Sequence, residues 1–157
     1  METKILFLDV DGVLNNTETM IEFDEKCINK LKDIVEKTEC KIVISSTYRL
    51  ESSSFNRLWK KLEDFKIIMS QNSLIDYLYT PDFENKTRAD EINFVLTKIR
   101  DDTRYKIISW IVLNDCNILN DSSPFINQLF TPHFIKINNK TGITEEDSQL
   151  AIFLLNN

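Results

Sequence analysis

Residues 7–16 read FLDVDGVLNN, and the placement of two aspartates in that run governs the reading of the whole chain. KILFLDV (4–10) is almost wholly apolar up to Asp9, the pattern of a short strand buried on both faces. The run ends in Asp9 and Asp11, one residue apart, followed by Gly12, one of only 2 glycines in the chain. A buried strand that stops in two carboxyls and a glycine sets charge at a sheet edge and lets the backbone turn sharply beneath it.

Outward from this run, short apolar segments alternate with segments of helical period. KIVIS (41–45), KIIMS (66–70), SWIVLND (109–115) and HFIKI (133–137) read as four further strands. The segment 23–38 sets Ile28, Leu31, Ile34 and Val35 on one face, with Asp24 as N-cap. The segment 52–65 does the same with Phe55, Leu58, Trp59 and Leu62, and offers Ser52 to Ser54 as caps. Residues 89–99 align Ile92, Val95, Leu96 and Ile99, a short helix is expected around Phe125–Phe130, and 144–155 opens with the capping box Thr144–Asp147. This alternation predicts an α/β fold, a Rossmann-like three-layer sandwich with a mainly five-stranded parallel sheet.

The chain has 157 residues, 42% of them apolar, the size of one domain (1–157) with a sizeable core. Its net charge of −6 weighs against a nucleic-acid binder, which usually presents a basic face, without excluding a local basic pocket. Cys27, Cys40 and Cys116 are odd in number and lack metal-ligand spacing, so they read as free thiols of a reducing compartment. No run approaches the roughly 18 apolar residues of a membrane span, and Asp9 and Asp11 interrupt the first apolar stretch where a signal peptide would continue. A cytoplasmic location is the expectation. No repeat, low-complexity tract or linker divides the chain.

In parallel sheets ligands bind at the carboxyl ends of the strands, where the strand order reverses. Here those ends carry Asp9–Asp11, Ser45–Ser46, Ser70, Asn114–Asp115 and Asn138–Asn139. If the first and fourth strands are neighbours, the carboxyls of Asp9, Asp11 and Asp115 meet, and a cation is needed to offset their repulsion. Hard oxygen ligands favour Mg²⁺, which takes one or two carboxylates plus a substrate phosphate. A calcium EF-hand loop fails, because its glycine belongs at the sixth position and Gly12 is at the fourth. A receiver-type phospho-acceptor domain fails too, since the second and third strands end in serines and not in an acceptor aspartate.

FLDVDGVLN resembles the first motif of the haloacid dehalogenase (HAD) superfamily of phosphotransferases, D-x-D-G-x-[LT] after an apolar strand. KIVIS with Ser45 is similar to the second motif, a basic residue in NKTRADEI to the third, and IVLND with Asp115 to the fourth. STYR and the tail FIKINNKTGITEEDSQLAIFLL resemble small bacterial HAD domains, so the likeness spans the chain. It implies strand order 3-2-1-4-5 and no cap domain, both insertion points being too short to hold one. It further implies that Asp9 is the nucleophile, forming an aspartyl phosphate, and that Asp11 is the general acid and base, its carbonyl facing the metal. Asp9, Asp11 and Asp115 would hold Mg²⁺. Ser45 and Ser46, the turn at Gly12, and Lys86 or Arg88 would bind phosphate, and Arg49 is a further candidate for substrate contact. Asn114–Asp115 departs from the family's Asp-Asp or Gly-Asp, which puts the metal affinity in question.

Several of these residues have plainer uses. Ser45 and Ser46 can cap the following turn, Lys86 and Arg88 can be solvated at a helix start, and Arg49 can pair with a surface carboxylate. His133 opens a strand and reads as structural, Cys116 has nothing nearby to activate it, and Trp59 and Trp110 read as core. An open, capless site suits phosphate presented on a macromolecule. The acidic charge favours a phosphoprotein, with phosphotyrosine first and YLYTPDF (77–83) as a possible aromatic rim. A nucleic-acid end phosphatase, a small-molecule phosphatase closed by a partner, and an inactive HAD-like interaction module are the alternatives.

Overall fold

The computed structural model describes residues 1–19, 21–69, 73, 74 and 76–157. Strands β1 (Glu2–Leu8), β2 (Lys41–Ile44), β3 (Lys106–Asn114) and β4 (Phe134–Lys136) form a parallel sheet in the order β2-β1-β3-β4. Helices α1 (Glu25–Thr38), α2 (Ser52–Asp64), α3 (Arg88–Asp101), α4 (Pro124–Phe130) and α5 (Glu145–Asn156) cover its faces. The alternation within each strand decides which face. Leu6, Leu8, Ile42, Ile44, Ile111 and Leu113 pack with α1, α2 and α5, whereas Ile5, Phe7, Val43, Trp110 and Val112 pack with α3 and α4. Each such fully buried side chain contributes roughly 1.5–3 kcal/mol of apolar transfer, so helix docking on both faces holds the layers together. Among the described residues no helix is long and apolar enough to cross a membrane.

The chain goes from β1 to β2 on one side, then passes back over β1 to reach β3 and β4 on the other. The carboxyl ends of β1 and β3 therefore straddle the point where the order reverses. The expected caps of α1 and α5 are present: the Asp24 side chain accepts from Lys26 N, and Thr144 and Asp147 form a capping box. The start of α2 differs from expectation. Glu51 is its N-cap and makes no side-chain cap, while Ser53 and Ser54 donate to the Glu51 carboxylate.

The sheet has four strands among the described residues, and 66–69 is not the fifth; Ser70 lies outside them. The reason is the end of α2. Lys66 turns left-handed (φ 58), and the amides of Lys66 and Ile67 donate to Glu63 and Leu62 carbonyls at 2.8 Å. Those donors are lost to any ladder, while Ile67 and Ile68 are buried against the core as loop residues. The apolar run marked burial and not a strand. The place beside β2 is taken by Tyr79, bridged to Ile44 through Ile44 N to Leu78 O and Thr80 N to Ile44 O, each 2.9 Å.

Neither stretch where a cap would be inserted holds one among the described residues. Between β1 and β2 the described residues outside α1 are loop and turn, and between α2 and α3 the described residues add only the Tyr79 bridge.

Candidate active site at the carboxyl edge of the sheet

The strand ends are locked together by the last rungs of the ladder. Asp9 N donates to Leu113 O at 3.0 Å and Ser45 N to Leu8 O at 2.9 Å, so Asp9, Ser45 and Asp115 leave the sheet at one edge. After Asp9 the backbone turns tightly, with the amides of Val13 and Leu14 both donating to Val10 O. Gly12 adopts φ +78, and a Cβ there would lie 2.4 Å from Asp115 Oδ2 and 2.9 Å from Asn139 Cβ. Only glycine admits both that backbone and the Asp115 carboxyl beside it. Asn15 fixes the turn from outside: its Oδ1 accepts from Gly12 N at 2.8 Å, and its Nδ2 donates to Asp11 Oδ1 at 3.2 Å.

Asp9, Asp11, Thr47, Arg88, Asn114, Asp115, Cys116 and Ile118 line a depression of ≈ 300 Å³. Burial pushes the Asp9 carboxyl up to about 7, and the hydrogen-bonding contact with the Asp115 carboxyl adds to this; the Val10 amide and the Arg88 charge pull the other way. Burial also lowers the Arg88 guanidinium, as does the charge of Arg49. Three buried donors near this edge have no hydrogen-bond partner among the described residues: Ser45 Oγ, Arg88 Nη1 and, beside the end of β2, Thr80 Oγ1. Buried polar groups are nearly always satisfied, so such orphans mark places where a ligand's acceptors belong.

Two carboxyls crowded into a half-buried site suit a divalent cation, and oxygen-only donors suit Mg²⁺. The third carboxyl does not join them. Asp11's side chain is held by Asn15, and among the described residues no group of three or more His, Cys, Asp or Glu converges to hold a metal. A cation here would have the side chains of Asp9 and Asp115, a number Mg²⁺ commonly accepts when substrate oxygens complete its shell.

A family model described as the HAD domain in Swiss Army Knife RNA repair proteins matches residues 5–148. The chain belongs to this HAD family. Comparison with curated proteins finds no match, and comparison with solved structures finds none either. Membership makes the chain an HAD domain of the phosphatase-type hydrolase class, with the parallel α/β sheet described above.

The HAD motifs fall unevenly on the structure. Arg88 lines the depression, whereas Lys86 is exposed and lines a separate groove with Phe83 and Phe94. Ser46 caps the following 3-10 turn (Thr47–Leu50), accepting from Tyr48 N, which is its plainer use. Arg49 does not line the depression. Its side chain is 3% exposed and donates to Thr80 O, Ser46 O, Pro81 O and the Glu91 carboxylate. Asn114 closes the turn after β3, its Oδ1 accepting from Cys116 N at 2.9 Å, so the departure at this position has a local structural use. Burial and Asp115 push the Cys116 thiol up, which leaves it unactivated. His133 Nδ1 sits 2.8 Å from Trp110 O with its ring stacked on Trp110 at 4.0 Å. YLYTPDF forms no rim at the depression: Tyr77 donates to Asp102 and packs on Tyr105, and Tyr79 packs on Phe55. Sequence reasoning passed over Asn15, although it stands in the opening motif; its role depends on a turn geometry that no spacing rule encodes.

Proposed function

We propose that this HAD domain hydrolyses terminal phosphate from nucleic-acid ends, with RNA the first substrate to test. The observation that supports the phosphatase chemistry is that Asp9 shares its depression with Arg88, whose Nη1 is an unfilled buried donor, while the orphaned Ser45 Oγ belongs to the neighbouring strand end. The nucleic-acid choice is supported by the RNA-repair description of the matching family and by a site with no cap over it among the described residues. The phosphoprotein alternative rests on the net charge of −6 and on an aromatic rim that loop 77–83 does not build.

The Asp9 carboxylate attacks phosphorus in line with the ester oxygen, the P–O ester bond breaks, and Asp11 delivers its proton to the leaving oxygen. Water then attacks the aspartyl phosphate, giving its proton to Asp11. The bond from phosphorus to Asp9 breaks and inorganic phosphate departs. Ser45 Oγ and Arg88 Nη1 donate to the phosphoryl oxygens, whose charge spreads in the transition state. Asn15 holds Asp11 beside the leaving group. Mg²⁺, held by Asp9 and Asp115 with the Asp11 carbonyl, would keep both carboxylates ionised and offset the charge of the entering phosphate.

Phosphate release from 5′- and 3′-phosphorylated oligoribonucleotides, measured with Mg²⁺ and with EDTA beside a phosphotyrosine peptide, tests this reading. Expected is Mg²⁺-dependent turnover with an oligonucleotide preferred by at least about tenfold in kcat/KM, roughly 1.4 kcal/mol. A peptide as the better substrate overturns the substrate class. No Asp9-dependent turnover on any phosphate ester overturns the enzyme.

A further inference from the structure

A second depression, ≈ 460 Å³, opens beside the first and shares Asp11 and Asp115 with it. Its remaining wall includes Gly12, Ile21, Glu22 and Tyr48. The general acid has to lie against the leaving oxygen, so whatever carries the phosphate extends from Asp11 into the space on that side. We infer that this groove is the leaving-group subsite and that it takes the terminal nucleoside of a nucleic-acid end, its base lying against Tyr48 and Ile21. The inference rests on the phosphatase reading above and adds the residues that select the substrate.

The wall has the properties such a subsite needs. Tyr48 sits in a 3-10 turn pinned on both sides: Ser46 accepts from Tyr48 N, and the next residue, Arg49, is buried with its guanidinium bonded to three carbonyls and Glu91. The Tyr48 ring packs on Phe23 at a tilt of 52°, with centroids 5.9 Å apart, and also lines the groove. A ring held this way is a rigid surface for a base, and such stacking tolerates any base because each has a π face. Ile21, 55% exposed, is the apolar residue facing the groove with no core role. The one carboxylate added by this wall, Glu22, is bound by Arg57 Nε at 2.8 Å. That pairing removes a repulsion against the strand and places a half-exposed guanidinium behind the subsite, where the next phosphate of a strand would meet it.

The test compares two terminally phosphorylated oligoribonucleotides, one with a normal terminal residue and one abasic there. The readout is the ratio of their kcat/KM values. In the wild type the base-bearing end is favoured about tenfold, within the range of one stacked base. Tyr48→Phe keeps the ratio. Tyr48→Ala and the exposed-site variant Ile21→Asp bring it close to one. Phe153→Ser, on the far surface of α5, leaves it unchanged. No preference in the wild type, or a preference that survives both Tyr48→Ala and Ile21→Asp, overturns the subsite while leaving end-phosphatase activity intact. Absence of turnover on either oligonucleotide, with another phosphate ester hydrolysed, overturns the function reading itself and the subsite with it.

Discussion

At the amino end of the sheet, just before β3, Arg104 donates to Asp102 and to Asp76, each at 2.6 Å. Tyr77 donates to the same Asp102 at 3.0 Å, and the terminal ammonium donates to Arg104 O. At the carboxyl end, Asp9 faces another carboxyl, and Ser45 Oγ and Arg88 Nη1 find no partner among the described residues. Both ends are rich in charge, and they use it in opposite ways. Where water reaches the groups, opposite charges pair and add little to stability. Where the sheet edge half-buries them, like charges are held together and donors stay unfilled, an arrangement that is stable only at some cost and marks a place for a ligand.

The largest effect that could break this contrast belongs to Asp9. Asp9→Asn is expected to lower turnover by several orders of magnitude with circular dichroism unchanged, as removal of a nucleophile does. Retention of about a tenth of wild-type turnover would contradict its role. Next in size is the motif-three cation. Arg88→Ala should cost about 10²–10³ in kcat/KM, the loss of one preorganised donor, and Lys86→Ala should stay within about twofold. Equal losses at both positions would place the phosphate elsewhere.

A third measurement reads the carboxyl pair directly through stability. Asp9 is raised from 3.8 to about 7 in the folded protein. A group raised on folding contributes stability that is complete below its unfolded value and is lost as pH rises through the folded one. In EDTA, wild-type stability should therefore fall between about pH 4 and pH 7 relative to Asp9→Asn, by an amount on the order of a few kcal/mol at most. Parallel denaturation curves for the two proteins across that window would remove the raised Asp9 carboxyl, set by burial first and by Asp115 second, from the account. The smallest effect lies at the amino end. Arg104's hydrogen bonds hold Asp102 well below the usual carboxylate range, so its contribution is present above the unfolded value and disappears only on acidification. Arg104→Ala should leave turnover unaltered and shift the melting temperature the least of the set, less still in high salt.

The first motif was legible because chemistry and backbone coincide there. Asp9, Asp11 and Gly12 are residues a buried strand would otherwise exclude, and the structure gathers Asp9 and Asp115 as that exclusion suggests. The parallel sheet was legible from the alternation of apolar and helical segments, whereas its order around the reversal came from the resemblance carried by the first motif. KIIMS was misread because burial and strand pairing look alike in a short apolar run, and only the amide bonds at the end of α2 separate them. Arg49 and Arg88 could not be told apart from composition. Their difference is which carbonyls and carboxylates surround each guanidinium: Glu91 lies one helical turn from Arg88 on α3, but only the fold brings it to Arg49.

The Tyr79 bridge has a consequence beyond the shape of the sheet. An open strand edge is a template on which a second chain can add and begin to aggregate. Here β2 has its last residue capped on the outer side by the two hydrogen bonds from the 78–80 segment, and β4 at the opposite edge is three residues long with Lys136 at its end. The 78–80 segment thus acts as a gatekeeper. It occupies the edge with a single rung and bends away, leaving little flat surface on which a partner strand could grow.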